Sequence, residues 1–242
     1  MMDAINDVGF LGFDVFGTVV DWRSGVARDA EPFLRRHHIA VDAATFADEW
    51  RSLYQPSMQR VRAGERPWVK LSLLNRENLE TVLSRHGADF ATIPEPELDE
   101  LNRVWERLDP WPDAVDGLTR LKKRFAIGPL SNGHIAGMLN LARFGGLPWD
   151  VIVGAEVTHS YKPQPQTYLK SAEAVGLPPH RVALVAAHNS DLAAARAVGL
   201  RTVFIRRPYE HGPGQTSDLR AEHDWDVVAD SLIDAADALG CL

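Results

Sequence analysis

A carboxylate at the end of an apolar run is the first group in this chain whose setting suggests chemistry. In Phe13-Asp14-Val15-Phe16-Gly17-Thr18, a carboxylate stands at a strand end, Gly17 relaxes the backbone and Thr18 supplies a hydroxyl, which makes Asp14 a nucleophile candidate. The same residues equally describe an ordinary turn after a strand. A second run ends in Leu130-Ser131-Asn132-Gly133, whose hydroxyl, amide and backbone N–H groups suit an anion or, just as well, the start of a helix. In Ser160-Tyr161-Lys162-Pro163-Gln164-Pro165, two prolines stiffen a loop that could aim Lys162 inward, although a lysine is by default solvated. The last polar cluster is His188-Asn189-Ser190-Asp191, where Asp191 is either a working carboxylate or a plain complement to the helix that follows.

All four clusters follow short apolar segments. Such segments recur near residues 8–13, 125–130, 151–154, 181–187, 201–206 and 225–229, mostly with helix-like stretches between them. This is the rhythm of an α/β protein with a parallel sheet buried on both faces, and in such sheets ligands bind beyond the carboxyl ends of the strands. Between residues 22 and 110 the rhythm breaks. Leu71, Leu74, Asn78, Leu79, Val82 and Leu83 fall at helical spacing there, which predicts a helical insertion. Pro110, Pro112 and Asp113 form a return linker, with Asp113 expected to cap the helix leading to Leu121.

The chain has 242 residues, 45% hydrophobic and 24% charged, enough for a substantial core. A net charge of −7 argues against binding nucleic acid through its phosphates. The single cysteine, Cys241, allows neither an intrachain disulfide nor a cysteine metal site. Residues 1–9 carry no basic cluster or long apolar core, and no run approaches the roughly 18 apolar residues of a membrane span. A cytoplasmic protein with no membrane partner is expected.

Taken together and in this order, the four motifs resemble those of the haloacid dehalogenase superfamily. That resemblance implies a doubly wound, Rossmann-like core, residues 1–21 and 111–242, with an inserted helical cap, residues 22–110. Within the superfamily, the aromatic Phe16 two positions after Asp14, the Phe-Gly-Thr segment, the Ser131-Asn132 pair and the Lys162-Pro163 loop resemble the (S)-2-haloacid dehalogenases. Phosphatases of the superfamily place a second Asp where Phe16 stands and a metal-binding Asp where Ala186 and Ala187 stand. Without these, phosphate charge and a divalent cation would lack their partners. A departing halide needs neither, so no metal and no cofactor is expected.

The resemblance implies roles residue by residue. Asp14 attacks the halogen-bearing carbon and forms an ester; Arg51, in Trp50-Arg51-Ser52-Leu53-Tyr54, grips the halide; Ser131 and the backbone N–H groups of Val15 and Asn132 hold the substrate carboxylate, while the Asn132 side chain faces the halide. Phe16 and Tyr168 line the substrate site, Thr18 supports Asp14, Lys162 keeps Asp14 ionised, and Asp191 prepares the water that cleaves the ester. An isolated helical arginine is ordinarily a surface residue, so Arg51 depends on the resemblance alone. The chain departs from the family pattern at Ala186, His188 and Ser190, where Ser, Asn and a bulky aromatic are usual. Donors at His188 and Ser190 suit small, strongly hydrated fluoride, so His188 joins the catalytic candidates and fluoroacetate the substrates. The partner expected is thus a small 2-haloacid, and a homodimer stays open. Two other readings also stay open: a Mg²⁺-dependent phosphatase with degenerate motifs, and a silent protein that binds a small carboxylate.

Overall fold

A computed structural model of the chain describes Ile5 and residues 7–241. Residues 1–4, 6 and 242 lie outside the described residues, and with them most of the N-terminal stretch read above for targeting signals. Six strands form one parallel sheet: β1 (Phe10–Phe13), β2 (Ala126–Ser131), β3 (Val153–Gly154), β4 (Val182–Ala186), β5 (Arg201–Ile205) and β6 (Val227–Ala229). Each falls within or against one of the six apolar runs, with β3 and β6 the shortest. The order is β3-β2-β1-β4-β5-β6, so the chain winds outward from β1 in one direction and then, from β4, in the other.

Alternation of side chains along these strands separates two cores. Leu11, Phe13, Ile127, Val185, Val203 and Ile205 join the cluster on one face, whereas Phe10, Leu130, Val182, Leu184 and Phe204 join that on the other. Helices α6 (Ala114–Leu121), α7 (Ile135–Gly145) and α11 (Leu232–Ala238) supply residues to the first; α9 (Pro165–Ala174) and α10 (Asn189–Ala197) supply residues to the second. The sheet is thereby covered on both sides, as its apolar strands require. The short α8 (Ala155–Thr158) follows β3.

Between β1 and α6 lie α1 (Trp22–Arg36), α2 (Ala43–Ser52), α3 (Tyr54–Arg62), α4 (Leu71–Arg85), α5 (Glu95–Asn102) and a 3-10 turn at Arg103–Glu106. Asp21 and Asp42 cap α1 and α2 by accepting from the N–H groups of Ser24 and Thr45. Leu71, Leu74, Asn78, Leu79, Val82 and Leu83 form the buried face of α4. The two chain crossings into this helical cap run side by side: Asp21 N–H donates to Asp109 O and Trp111 N–H to Val19 O, both at 2.9 Å. Asp113 departs from expectation. Its φ and ψ of −89° and −9° are already helical, and its side chain makes no cap bond to its own helix. Instead the carboxylate accepts both arms of Arg207, at 2.8 and 2.9 Å, and the N–H of Leu232 at the start of α11. No helix among the described residues is long and apolar enough to cross a membrane.

Candidate active site

Asp14 follows β1 directly, and its N–H donates to Val185 O on β4 at 2.9 Å, so the sheet fixes its position. Its Oδ2 accepts from the Thr18 hydroxyl at 2.8 Å, and that hydroxyl oxygen accepts in turn from Ala187 N–H at 2.9 Å. Lys162 sits between two carboxylates, with Nζ 2.9 Å from Asp14 Oδ1 and 2.5 Å from Asp191 Oδ2. Burial alone would discharge this lysine, but Asp14 and Asp191 outweigh it and raise it above its ordinary range. Burial likewise works against ionised Asp14, yet Lys162 and His188 hold it far below the usual carboxylate range. The Asp14 carboxylate is thereby kept anionic.

His188 begins the turn into α10. Its Nε2 lies 2.9 and 3.0 Å from the two carboxylate oxygens of Glu210, and its Nδ1 lies 3.2 Å from Asp14 Oδ2. Burial opposes a charged ring here, but Glu210 foremost and Asp14 with it raise the imidazole well above 6.5. Glu210 also accepts from the Trp22 indole N–H at 3.1 Å, and its side chain is 1% exposed. Removing one member of such a buried set commonly costs about 3–5 kcal/mol, because the remaining charge is left unpaired.

The helical cap closes the other side of the cleft. Arg51, in the last turn of α2, lies 4.0 Å from the Tyr54 ring centroid and 5.3 Å from that of Trp22. Its Nη1 is buried and has no hydrogen-bond partner among the described residues. A cleft-lining guanidinium with an N–H left unsatisfied is a place for an anion. The cleft, about 1050 Å³, is lined by Asp14, Lys162, His188 and Asp191 from the core and by Arg51, Gln55 and Arg62 from the cap.

Asp14, Thr18, Lys162, His188 and Asp191 are thus brought together, with Arg51 lining the same cleft. Asn132 also lines it; its Oδ1 accepts from Lys162 N–H at 2.8 Å, which leaves its amide N–H groups free for a ligand. Three expected contacts, of Ser131, Phe16 and Tyr168, are placed elsewhere. Ser131 does not line the cleft, and its Oγ accepts from Gly133 N–H at 3.1 Å, fixing the turn. Val15, expected to act through its backbone N–H, has a fully buried side chain. Phe16 is packed edge-on against Trp105 with centroids 5.7 Å apart. Tyr168 is fully buried and donates to Asp191 Oδ1 at 2.5 Å; burial, then Asp191, keep its phenol protonated, so it holds the carboxylate and does not line the cleft.

Glu210, Trp22 and Tyr54 were not foreseen. Glu210 had a readable signal, since Arg206-Arg207-Pro208-Tyr209-Glu210-His211 follows the fifth apolar run as the other polar clusters follow theirs. Trp22 and Tyr54 had none, because a helical aromatic reads as core. The donor set does not fit a divalent cation. Ala186 and Ala187 end β4 without a carboxylate, a ring nitrogen of His188 meets Asp14 Oδ2, and among the described residues no group of three or more His, Cys, Asp or Glu could hold a metal ion.

A family model described as haloacid dehalogenase-like hydrolase matches residues 11–199, which span β1 through the end of α10 and so every one of these side chains except Glu210. The chain belongs to the haloacid dehalogenase-like hydrolases. This hydrolase is 50% identical to the crystal structure of the defluorinating L-2-haloacid dehalogenase Rha0230, over 96% of the chain and 95% of that structure, with a TM-score of 0.95. It is 44% identical to the L-2-haloacid dehalogenase PA0810, over 97% and 99%, with a TM-score of 0.91. Among curated proteins it is 26% identical to (S)-2-haloacid dehalogenase 4A of Burkholderia cepacia, over 93% of the chain and 96% of that protein.

Proposed function

We propose that this hydrolase cleaves the carbon–halogen bond of short 2-haloacids, with residues 22–110 as the cap over a core of residues 1–21 and 111–242. The observation that carries the reading is that Arg51, whose buried Nη1 has no hydrogen-bond partner among the described residues, lines the same cleft as an anionic Asp14. A carboxylate with a cation to leave toward is what substitution at carbon needs, and nothing in that step calls for a proton on the leaving atom. Asp14 displaces the halide toward Arg51 and becomes an ester. The amide N–H groups of Asn132 and the backbone N–H of Val15 hold the substrate carboxylate, while Ser131 braces their loop. Asp191, oriented by Lys162 and Tyr168, accepts a proton from the water that attacks the ester.

One observation supports fluoroacetate as a substrate: the structural neighbour at 50% identity is described as defluorinating. The test is halide release from fluoro-, chloro- and bromoacetate with and without chelator, combined with ¹⁸O-water labelling. Release unaffected by chelator, abolished in Asp14→Asn, with ¹⁸O appearing in Asp14, is the expected result. Chelator-sensitive phosphate release from a generic ester, with no halide release, would replace this reading with a phosphatase.

A further inference from the structure

Both ring nitrogens of His188 face carboxylate oxygens, Nε2 toward Glu210 and Nδ1 toward Asp14 Oδ2. A neutral imidazole carries one N–H, so one of these contacts would then set a lone pair against a carboxylate. Only with an N–H on each nitrogen are both satisfied. Glu210 therefore does more than fill space: it stands behind the ring on the side away from the nucleophile. Its own surroundings are built around that carboxylate. Trp22 donates to it, and Gly17, in the nucleophile loop, leaves room for it, since a Cβ there would stand 2.0 Å from Glu210 Oε1.

The two oxygens of Asp14 are not equivalent. Oδ2 accepts from the Thr18 hydroxyl and lies 3.2 Å from His188 Nδ1, whereas Oδ1 meets Lys162 alone. Oδ1, with one neighbour instead of two, is the oxygen left for carbon, and Oδ2 becomes the carbonyl oxygen of the ester. We propose that Glu210 is a positioning residue that keeps His188 donating to Asp14 Oδ2, and that His188 and Thr18 form the oxyanion site for hydrolysis of the aspartyl ester. Water attacks Cγ of the ester and gives one proton to Asp191, while the carbonyl π pair moves onto Oδ2. The tetrahedral species then collapses by breaking the Cγ–Oδ1 bond. Oδ1 leaves with the 2-hydroxyacid, taking the other water proton, the water oxygen replaces it in Asp14, and Asp191 releases its proton to solvent.

This assignment rests on the covalent reading above and concerns its second half, so rapid-quench kinetics separate the two. The probe is chloroacetate, with halide measured in the first turnover and in steady state, and with the mass of quenched protein reporting ester on Asp14. In Glu210→Gln, first-turnover halide release should stay within about threefold of wild type, while steady-state turnover falls about 100-fold and ester accumulates. The amide N–H of His188→Asn donates to Oδ2 with no carboxylate behind it, so adding Glu210→Gln to that variant should lower turnover by less than about threefold more. Trp22→Phe, which removes the other donor to Glu210 and keeps the ring, should accumulate ester in the same direction. Equal loss of both phases in Glu210→Gln without ester, or its full effect repeated in the His188→Asn background, would overturn the assignment. If Glu210→Gln does not fold, ester-free turnover by Trp22→Phe would overturn it instead. A wild-type enzyme that releases halide without ever labelling Asp14 would overturn the covalent reading itself.

Discussion

Asp191 and Arg51 act on opposite halves of the proposed reaction, and single substitutions should separate them. Asp191 receives Lys162 and Tyr168 at 2.5 Å each, so its carboxylate has a fixed direction from which to take a water proton. In Asp191→Asn, halide release should persist for one turnover and ester should build up, with steady-state turnover reduced about 10²–10⁴-fold, as removal of a general base does. In Arg51→Ala the first turnover itself should slow, and no ester should be trapped. Mass spectrometry of quenched protein distinguishes the two. The buried ion pair also gives a pH signature. His188 is raised above 6.5, so its stabilising contribution is complete below that value and is lost as pH rises through the elevated one. Glu210 is lowered from 4.5, so its share is present above that value and is lost as pH falls through the depressed one. The melting temperature should therefore decline on the alkaline side of neutrality, and His188→Asn should flatten that decline.

At the scale of elements, the site depends on loops held at the carboxyl edge of the sheet by short turns with demanding backbones. Gly17 has φ of +93°, and a Cβ there would meet Glu210 Oε1 at 2.0 Å and Cδ at 2.2 Å. Gly64, in the cap loop after α3, has φ of +76° with nothing within 4 Å of a Cβ. Gly64→Ala should thus show only the conformational penalty of roughly 1–2 kcal/mol. Gly17→Ala should show that penalty plus displacement of a buried carboxylate, about 3 kcal/mol or more in all, and should lose activity with it. Denaturant melts of the two variants make the comparison; equal losses would show that Glu210 yields without cost. The Asp113 carboxylate illustrates the same dependence on distant partners. A residue placed like a helix cap instead ties Arg207 to the start of α11, and Arg207 in turn donates to Thr18 O at 2.9 Å, behind the nucleophile loop.

At the scale of the whole molecule, the cleft is a seam between the helical cap and the sheet. Three hydrogen bonds cross it beside Lys162: Arg62 Nη1 donates to Lys162 O at 2.8 Å, Gln164 Nε2 donates to Arg62 O at 3.1 Å, and the Tyr161 hydroxyl donates to Val69 O at 2.6 Å. Hydrogen bonds from a charged donor contribute about 1.5–3 kcal/mol, or roughly a 10–100-fold effect. Arg62→Ala should therefore raise KM for chloroacetate by about tenfold or more with a smaller change in kcat, because it loosens the seam without touching Asp14 or Asp191. Steady-state kinetics check this; a fall in kcat at constant KM would place Arg62 in the chemistry.

The local order of apolar runs determined the six strands, the helical character of the segment between β1 and α6, and the positions of Asp14, Lys162, His188 and Asp191 beyond strand ends, because strand and helix periodicities are written in neighbouring residues. Even the second polar residue of each cluster was visible as a type, though not as a partner. Tertiary structure decided what those residues touch. Tyr168 turned to Asp191, Ser131 to its own turn, Asp113 to Arg207, and Glu210 came across 22 positions of chain to stand behind His188. Such pairings depend on how two layers pack, and a carboxylate that is buried because a histidine awaits it reads, in one dimension, like any glutamate in a loop.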